Sequence, residues 1–321
     1  LYWHRAPRLF LPDDKRRYTQ GGRMLIVHPD AQRLAAEEAA RKGTAFEEAT
    51  RGGDVLCRPT RRFHIGGCDL QITQSWLQAA EPDCTGHAVW SGAELLARFL
   101  ADATGWDLAT AAVAGAKGPL SVIEVGCGVG CLPGLVCRLR HGLPVTFTDG
   151  SEKVLERAAK NVAANLSRED AYPGEHRSGK SHSAASEPSA AAASAEASEP
   201  SGVAFVPLKW GCTALPSALL PEGGGPRLLL ASDVAYDEDA QADLAHCLAL
   251  ALAAHPPGGA AALVCNAERS DTQASWHRVL AANGKFRVED LAPAAREALG
   301  EDAVGRHDLL QLTLDSRHRI S

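Results

Sequence analysis

A glycine-rich stretch at positions 122–135, VIEVGCGVGCLPGL, constrains this chain more than any other feature. An apolar run at 121–125 leads into Gly126, Gly128 and Gly130, and a helical pattern follows at once through position 140. Without a Cβ, glycine admits dihedrals closed to other residues and lets a ligand approach the backbone. Pro133 suits the first turn of the following helix, where a missing N–H costs nothing. Strand, glycine turn and helix in that order predict one unit of a parallel α/β sheet, with a ligand at the carboxyl end of the strand.

The remainder of the chain extends that unit. Strands are expected at 145–148, 203–208, 227–232, 260–266, 286–291 and 309–314, and helices from 151, at 238–254 and at 272–282. Alternation of this kind predicts a Rossmann-like seven-stranded sheet covered by helices on both faces. Upstream, FHIGGCDLQITQ from Phe63 reads as a β-hairpin turning at Gly66-Gly67. Ser91 and Glu94 form a Ser-x-x-Glu capping box for a helix whose apolar face is Leu95, Leu96, Phe99 and Leu100. We therefore divide the chain into an N-terminal extension, 1–62, partly ordered with one or two helices at 30–49, and a domain, 63–321. Within that domain, 167–202 is almost devoid of large apolar residues and reads as a disordered insertion.

Charge and composition narrow the function classes. The chain has 33 Lys and Arg against 39 Asp and Glu, a net charge of −6, so it lacks the general basic character of nucleic-acid binders. No apolar run approaches the roughly 18–20 residues of a membrane span, and the opening residues, with Arg5 and Arg8, do not read as a secretory signal. The nine cysteines include no Cys-x-x-Cys pair, so they predict buried thiols in a cytoplasmic or nuclear protein rather than a metal site.

Two further residues are read from position. Asp149 ends the second strand, where a Rossmann-like fold places an acid that accepts hydrogen bonds from ribose hydroxyls. A dinucleotide fingerprint would put its third glycine at 131, but Cys131 stands there. The motif is instead Glu-x-Gly-x-Gly-x-Gly, from Glu124 to Gly130 with Cys127 as a filler, the first motif of class I methyltransferases that bind S-adenosylmethionine.

In order along the chain come the hairpin, Thr85-Gly-x-x-Val-Trp90, the glycine loop, Thr148-Asp149, Leu208-Lys209-Trp210-Gly211 and Asp233-Val-Ala-Tyr236. This series resembles methyltransferase family 16, seven-strand enzymes that methylate lysines of non-histone proteins. The resemblance implies S-adenosylmethionine as cofactor and a monomer acting on a lysine-bearing protein, with no nucleic-acid or membrane partner. It assigns Trp90 to a cofactor contact, Gly126 to Gly128 to the methionine moiety, Asp149 to ribose, Trp210 to adenine and Ser232 to a further cofactor contact. It also makes Tyr236 close the site and turns Asp233 toward the reacting amine. The 36 positions of 167–202 and the N-terminal extension depart from the family pattern.

Two other readings stay open from the residues alone. A nucleobase methyltransferase of this fold usually carries Asn/Asp-Pro-Pro-aromatic where this chain has Asp233-Val-Ala-Tyr236 without prolines; a small-molecule methyltransferase shares the remaining features. A non-catalytic module retaining the scaffold would not need Gly126, Gly128, Asp149 and Asp233 together.

Overall fold

The computed structural model describes residues 18–20, 23–25, 59–75, 85–171, 202–220, 225–267 and 270–315. The helices expected at 30–49 lie outside the described residues, as do positions 172–201 of the expected insertion. Two three-residue strands, β1 (Tyr18–Gln20) and β2 (Arg23–Leu25), pair antiparallel in the N-terminal region. A hairpin follows, β3 (Thr60–Ile65) and β4 (Cys68–Thr73). It starts three residues earlier than its sequence pattern suggested, so the expected boundary at 62/63 cuts through a strand.

The central sheet has seven strands in the order β10-β11-β9-β8-β5-β6-β7. These are β5 (Ser121–Val125), β6 (Val145–Asp149), β7 (Val203–Pro207), β8 (Arg227–Ser232), β9 (Ala260–Ala267), β10 (Phe286–Asp290) and β11 (His307–Leu314). Strands β5 to β9 run parallel; β11 runs antiparallel to both β9 and β10. The middle strands are mostly apolar because both faces are covered. Leu228 and Leu230 of β8 enter one core and Leu229 and Ala231 the other.

On one face lie α1 (Ser91–Ala101), α3 (Leu132–His141), α4 (Glu152–Ala171) and the hairpin, joined by α2 (Ala103–Ala111) and α7 (Ala292–Leu299). The other face carries α5 (Gln241–Ala253) and α6 (Ser270–Asn283); a short α8 (Glu301–Val304) precedes β11. Helix α4 runs through Ala171, so 167–171 is helical rather than part of an insertion. No helix among the described residues is long and apolar enough to cross a membrane.

The capping box at Ser91 and Glu94 does not form. Ser91 is already inside α1, and its hydroxyl meets His307 Nε2 at 3.0 Å. Glu94 turns sideways to Arg61 and Arg98. The orphan N–H of Gly92 donates instead to the carboxylate of Asp233, from the far side of the sheet edge.

Two asparagines of α4 fix the hairpin. Asn161 and Asn165 each pair with β4 in both directions: their Oδ1 atoms accept from the Thr73 and Gln71 N–H groups, and their Nδ2 atoms donate to the same residues' carbonyls. Both are buried, and Asn161 Nδ2 also donates to Val129 O at 2.8 Å. The hairpin and the glycine loop therefore share one side chain.

Candidate functional site

The site forms where β5, β6 and β8 end side by side. Past β5, Gly126 and Gly128 take φ of 65° and 55°. A Cβ on Gly128 would lie 3.0 Å from Gly86 O, and one on Gly126 would lie 2.8 Å from Val234 Cγ1 and 3.4 Å from the Trp210 ring. Dihedrals and space both require glycine here. Gly130 serves packing: its Cβ would meet Val89 at 3.1 Å.

Asp149 closes β6 beside this loop. Its Oδ2 accepts the Gly128 N–H at 3.1 Å and its Oδ1 the Ser151 N–H at 3.0 Å. Burial raises its pKa, while the N–H groups of Ser151, Gly128 and Gly150 pull it back down. Two carboxylate oxygens offer about four acceptor positions, so capacity remains beyond these bonds for a ribose hydroxyl. Trp210, half-buried just past β7, lies against the Gly126 side of the loop. Left-handed glycines, the carboxylate and the indole thus share one strand edge, and this set fits the S-adenosylmethionine that the glycine motif implies.

Residues 85–90 lie across the loop. The Val129 N–H donates to Gly86 O at 2.7 Å. Trp90 Nε1 donates to Thr85 O at 3.0 Å, and the Thr85 hydroxyl donates to Tyr236 OH at 2.9 Å. Thr85 thereby links two residues that the sequence assigned to opposite ends of the reaction. Thr85 carries no signal in the sequence beyond its place at the head of the Thr-Gly-x-x-Val-Trp run.

Glu124 and Cys127 are both buried at the root of the loop. Glu124 is buried beneath the loop, where its Oε2 accepts the Gly134 N–H of α3 at 2.8 Å. Burial pushes its pKa up to about 8, against the bond from Gly134. It fastens the first turn of the helix rather than lining the ligand surface. A Cβ on Gly134 would clash with Phe147 and Glu124, so this fourth glycine of the motif region is needed for packing. Cys127 is also buried, and burial together with the neighbouring Cys131 thiol raises its pKa. Cys127 reaches the site only through its backbone, whose N–H donates to Thr148 O at 2.8 Å.

At the end of β8, Ser232 is half-buried and Asp233 is buried. Asp233 adopts φ of 51°, a left-handed conformation that few residues other than glycine tolerate. This turn aims the carboxylate at two backbone groups, the Gly92 N–H and the Ala267 N–H. Asp233 therefore clamps α1 to the end of β9. Tyr236, 37% exposed, stands at the surface beyond it.

Behind Tyr236, Asp233, Asn266 and Trp276 line a small cavity of ≈ 10 Å³, room for about one water. Asn266 Oδ1 accepts the Ala235 N–H, but Asn266 Nδ2 and Trp276 Nε1 are buried and find no hydrogen-bond partner. Neither residue stood out in the sequence, where each reads as part of an apolar strand or helix. Among the described residues, no group of three His, Cys, Asp or Glu side chains is arranged to hold a metal ion.

Residues 68–173 match a family described as lysine methyltransferase. The stretch includes Trp90, the glycine loop and Asp149, and stops short of Trp210, Ser232, Asp233 and Tyr236. No curated protein matches the chain. Among solved structures, it is similar to a methyltransferase from Pyrococcus furiosus, 15% identical over 61% of this chain and 75% of that one, with a TM-score of 0.36. It is similar to a human methyltransferase 10 domain containing protein, at 13% identity over 61% and 71%, TM-score 0.36. A TehB-like S-adenosylmethionine-dependent methyltransferase from Corynebacterium glutamicum is 12% identical over 72% and 91%, TM-score 0.34.

Proposed function

We propose that this chain is a class I S-adenosylmethionine-dependent methyltransferase and that it methylates a lysine side chain of a protein substrate. The match of residues 68–173 to lysine methyltransferases carries this reading. The acid and phenol that follow β8 without prolines support it. Bound along the glycine loop, the cofactor supplies an activated methyl group on sulfur.

The chain's own residues address the other half of the problem, the amine. A lysine of pKa about 10.4 is neutral in about one part per thousand near pH 7.4, a cost of roughly 4 kcal/mol. The Gly92 and Ala267 N–H groups fix the Asp233 carboxylate in place. The buried carboxylate thus draws in an ammonium while the clamp keeps it from turning away. Tyr236, fixed to Thr85, flanks the approach and restrains the aliphatic stem. Proton loss to solvent before attack needs no dedicated base, so Asp233 orients the amine and need not itself accept the proton.

The same reading makes the enzyme a monomer of the cytoplasm or nucleus. For the compartment, the support is the set of free cysteines among the described residues, including buried Cys127, Cys131, Cys137, Cys247 and Cys265. The deciding experiment incubates the protein with methyl-labelled cofactor and a proteome extract, with separate protease and nuclease arms. Label should be lost with protease and recovered as methyl-lysine after acid hydrolysis. Label that survives protease and disappears with nuclease, or that sits in small molecules, would overturn the assignment.

A further inference from the structure

A groove of ≈ 650 Å³ runs between β3 and α1, lined by Arg61, Arg62, Phe63, His64, Glu94 and Arg98 among others. Its charge runs against that of the chain. Glu94 is the acid on its wall, and it accepts from Arg61 Nη2 at 3.3 Å and from Arg98 Nη2 at 2.8 Å. Glu94 thus pairs with two guanidinium groups, and Arg62 lines the groove beside them. His64 is paired with Asp69 at 2.7 Å, so it adds no net charge when protonated. Among the described residues, and with His64 protonated, the wall carries about two positive charges in excess.

Arg61 is part of the fold: it lies 4.5 Å over the Phe63 ring and donates to Val89 O at 2.8 Å. Arg62, by contrast, is exposed on the outer side of β3, and Arg98 is half-exposed on α1. Arg98 is placed by its i,i+4 pair with Glu94, whereas Arg62 has no such partner among the described residues. The groove also has a fixed relation to the site. Val89, which Arg61 holds, precedes Trp90, and Gly92 of the same helix is bound by Asp233. From Gly92 to Arg98 the helix rises roughly 9 Å, at 1.5 Å per residue. An extended peptide covers that distance in about three residues.

We propose that this groove docks an acidic segment of the methylated protein, its Asp or Glu side chains placed about three residues from the target lysine. The inference rests on the lysine reading above. Arginine forks match carboxylates bidentately, and two carboxylates would neutralise the excess charge. Nucleic acid fits poorly, because the groove offers two charges where tight binding of a phosphate backbone draws on six to ten contacts, about as many charges.

The test uses the full chain and a fluorescein-labelled peptide, Glu-Glu-Ala-Ala-Lys, beside its Gln-Gln-Ala-Ala-Lys counterpart, both read by anisotropy at low salt and by methyl transfer. The acidic peptide should bind about tenfold more tightly than the glutamine peptide, and Arg62→Gln with Arg98→Gln should erase that preference. Arg62→Lys should retain most of it. An unchanged melting temperature shows that the variants stay folded, since Arg61 still holds Glu94. Equal binding of the two peptides, or an undiminished preference in the double variant, would overturn the proposal. So would tighter binding of a 12-nucleotide RNA through the same arginines. Failure of the lysine reading looks different: the acidic peptide would bind through Arg62 and Arg98, yet its lysine would remain unmethylated even with saturating cofactor and peptide.

Discussion

The carboxylate of Asp233 accepts the backbone N–H of Gly92, 141 positions earlier in the chain. It ties the start of the helix before the sheet to the end of the fourth parallel segment. Position alone suggests a residue that faces substrate only. The bond to Gly92, with its counterpart to Ala267, gives Asp233 a structural duty as well. A variant at this position therefore reports on two things at once.

Asp233→Ala should lose methyl transfer and also stability. Two buried N–H groups would be left without their charged acceptor, at about 1.5–3 kcal/mol for a bond to a charged group. Chemical denaturation should register roughly 3 kcal/mol, and the cofactor dissociation constant, measured on folded protein below the melting range, should move by less than about threefold. A stable variant with near-normal turnover would remove Asp233 from both roles.

Asp149→Ala should behave in the opposite way. Its loss deprives ribose hydroxyls of an acceptor and frees the Gly128 N–H, so cofactor affinity should fall by about 1.5–3 kcal/mol. Calorimetry gives that figure directly. Turnover should recover in part at high cofactor concentration, and a change in affinity under twofold would contradict the assignment.

Glu124 makes stability depend on pH. Its folded pKa, about 8, lies above the ordinary value of 4.5, so the folded state holds its proton more tightly than the unfolded chain. Stability is therefore greatest below about pH 4.5 as far as this group is concerned, and declines as pH rises toward 8. Glu124→Gln keeps an acceptor for Gly134 and removes the buried charge. It should match wild type near pH 5 and exceed it at pH 8.5 by on the order of 3 kcal/mol in urea unfolding. Parallel pH curves for the two proteins would show that Glu124 is not held protonated.

Asn161→Ala should weaken cofactor binding although Asn161 belongs to no motif. The change leaves Thr73 N–H, Thr73 O and Val129 O without their partner, and unsatisfied buried groups cost about 1–3 kcal/mol each. Amide exchange should quicken together in β4 and at Val129. Faster exchange in β4 alone would mean that hairpin and loop move independently.

Most of the frame was legible in the sequence because its signals are local. The run 121–125, the glycines and the helix with Pro133 predict β5, the loop and α3, and β8 matches its expected bounds at Arg227–Ser232. What escaped is mostly non-local. Ser91 and Glu94 satisfy a capping pattern, yet Asp233 supplies the acceptor and Arg61 takes the glutamate, both from distant elements. Asn161 and Asn165 interrupt an otherwise apolar face of α4, and only the hairpin lying against them explains why. Glu124 reads as the head of a ligand motif because it is adjacent to the loop in sequence; in space it points to Gly134 beneath it. In α2 the apolar spacing is diluted by alanine, which blurs the helical period.

The outermost strands of the sheet bear on the protein's behaviour at high concentration. Strand β7 is only five residues long and closes on Pro207, which has no N–H to offer an incoming chain. At the opposite margin, β10 carries Arg287, Glu289 and Asp290 in five residues, four of them exposed. A short strand ending in proline and a charged one are both poor templates for a further strand. The seven-stranded sheet is thus closed to growth at either side, and molecules that meet edge to edge have little main chain to pair, which guards against aggregation.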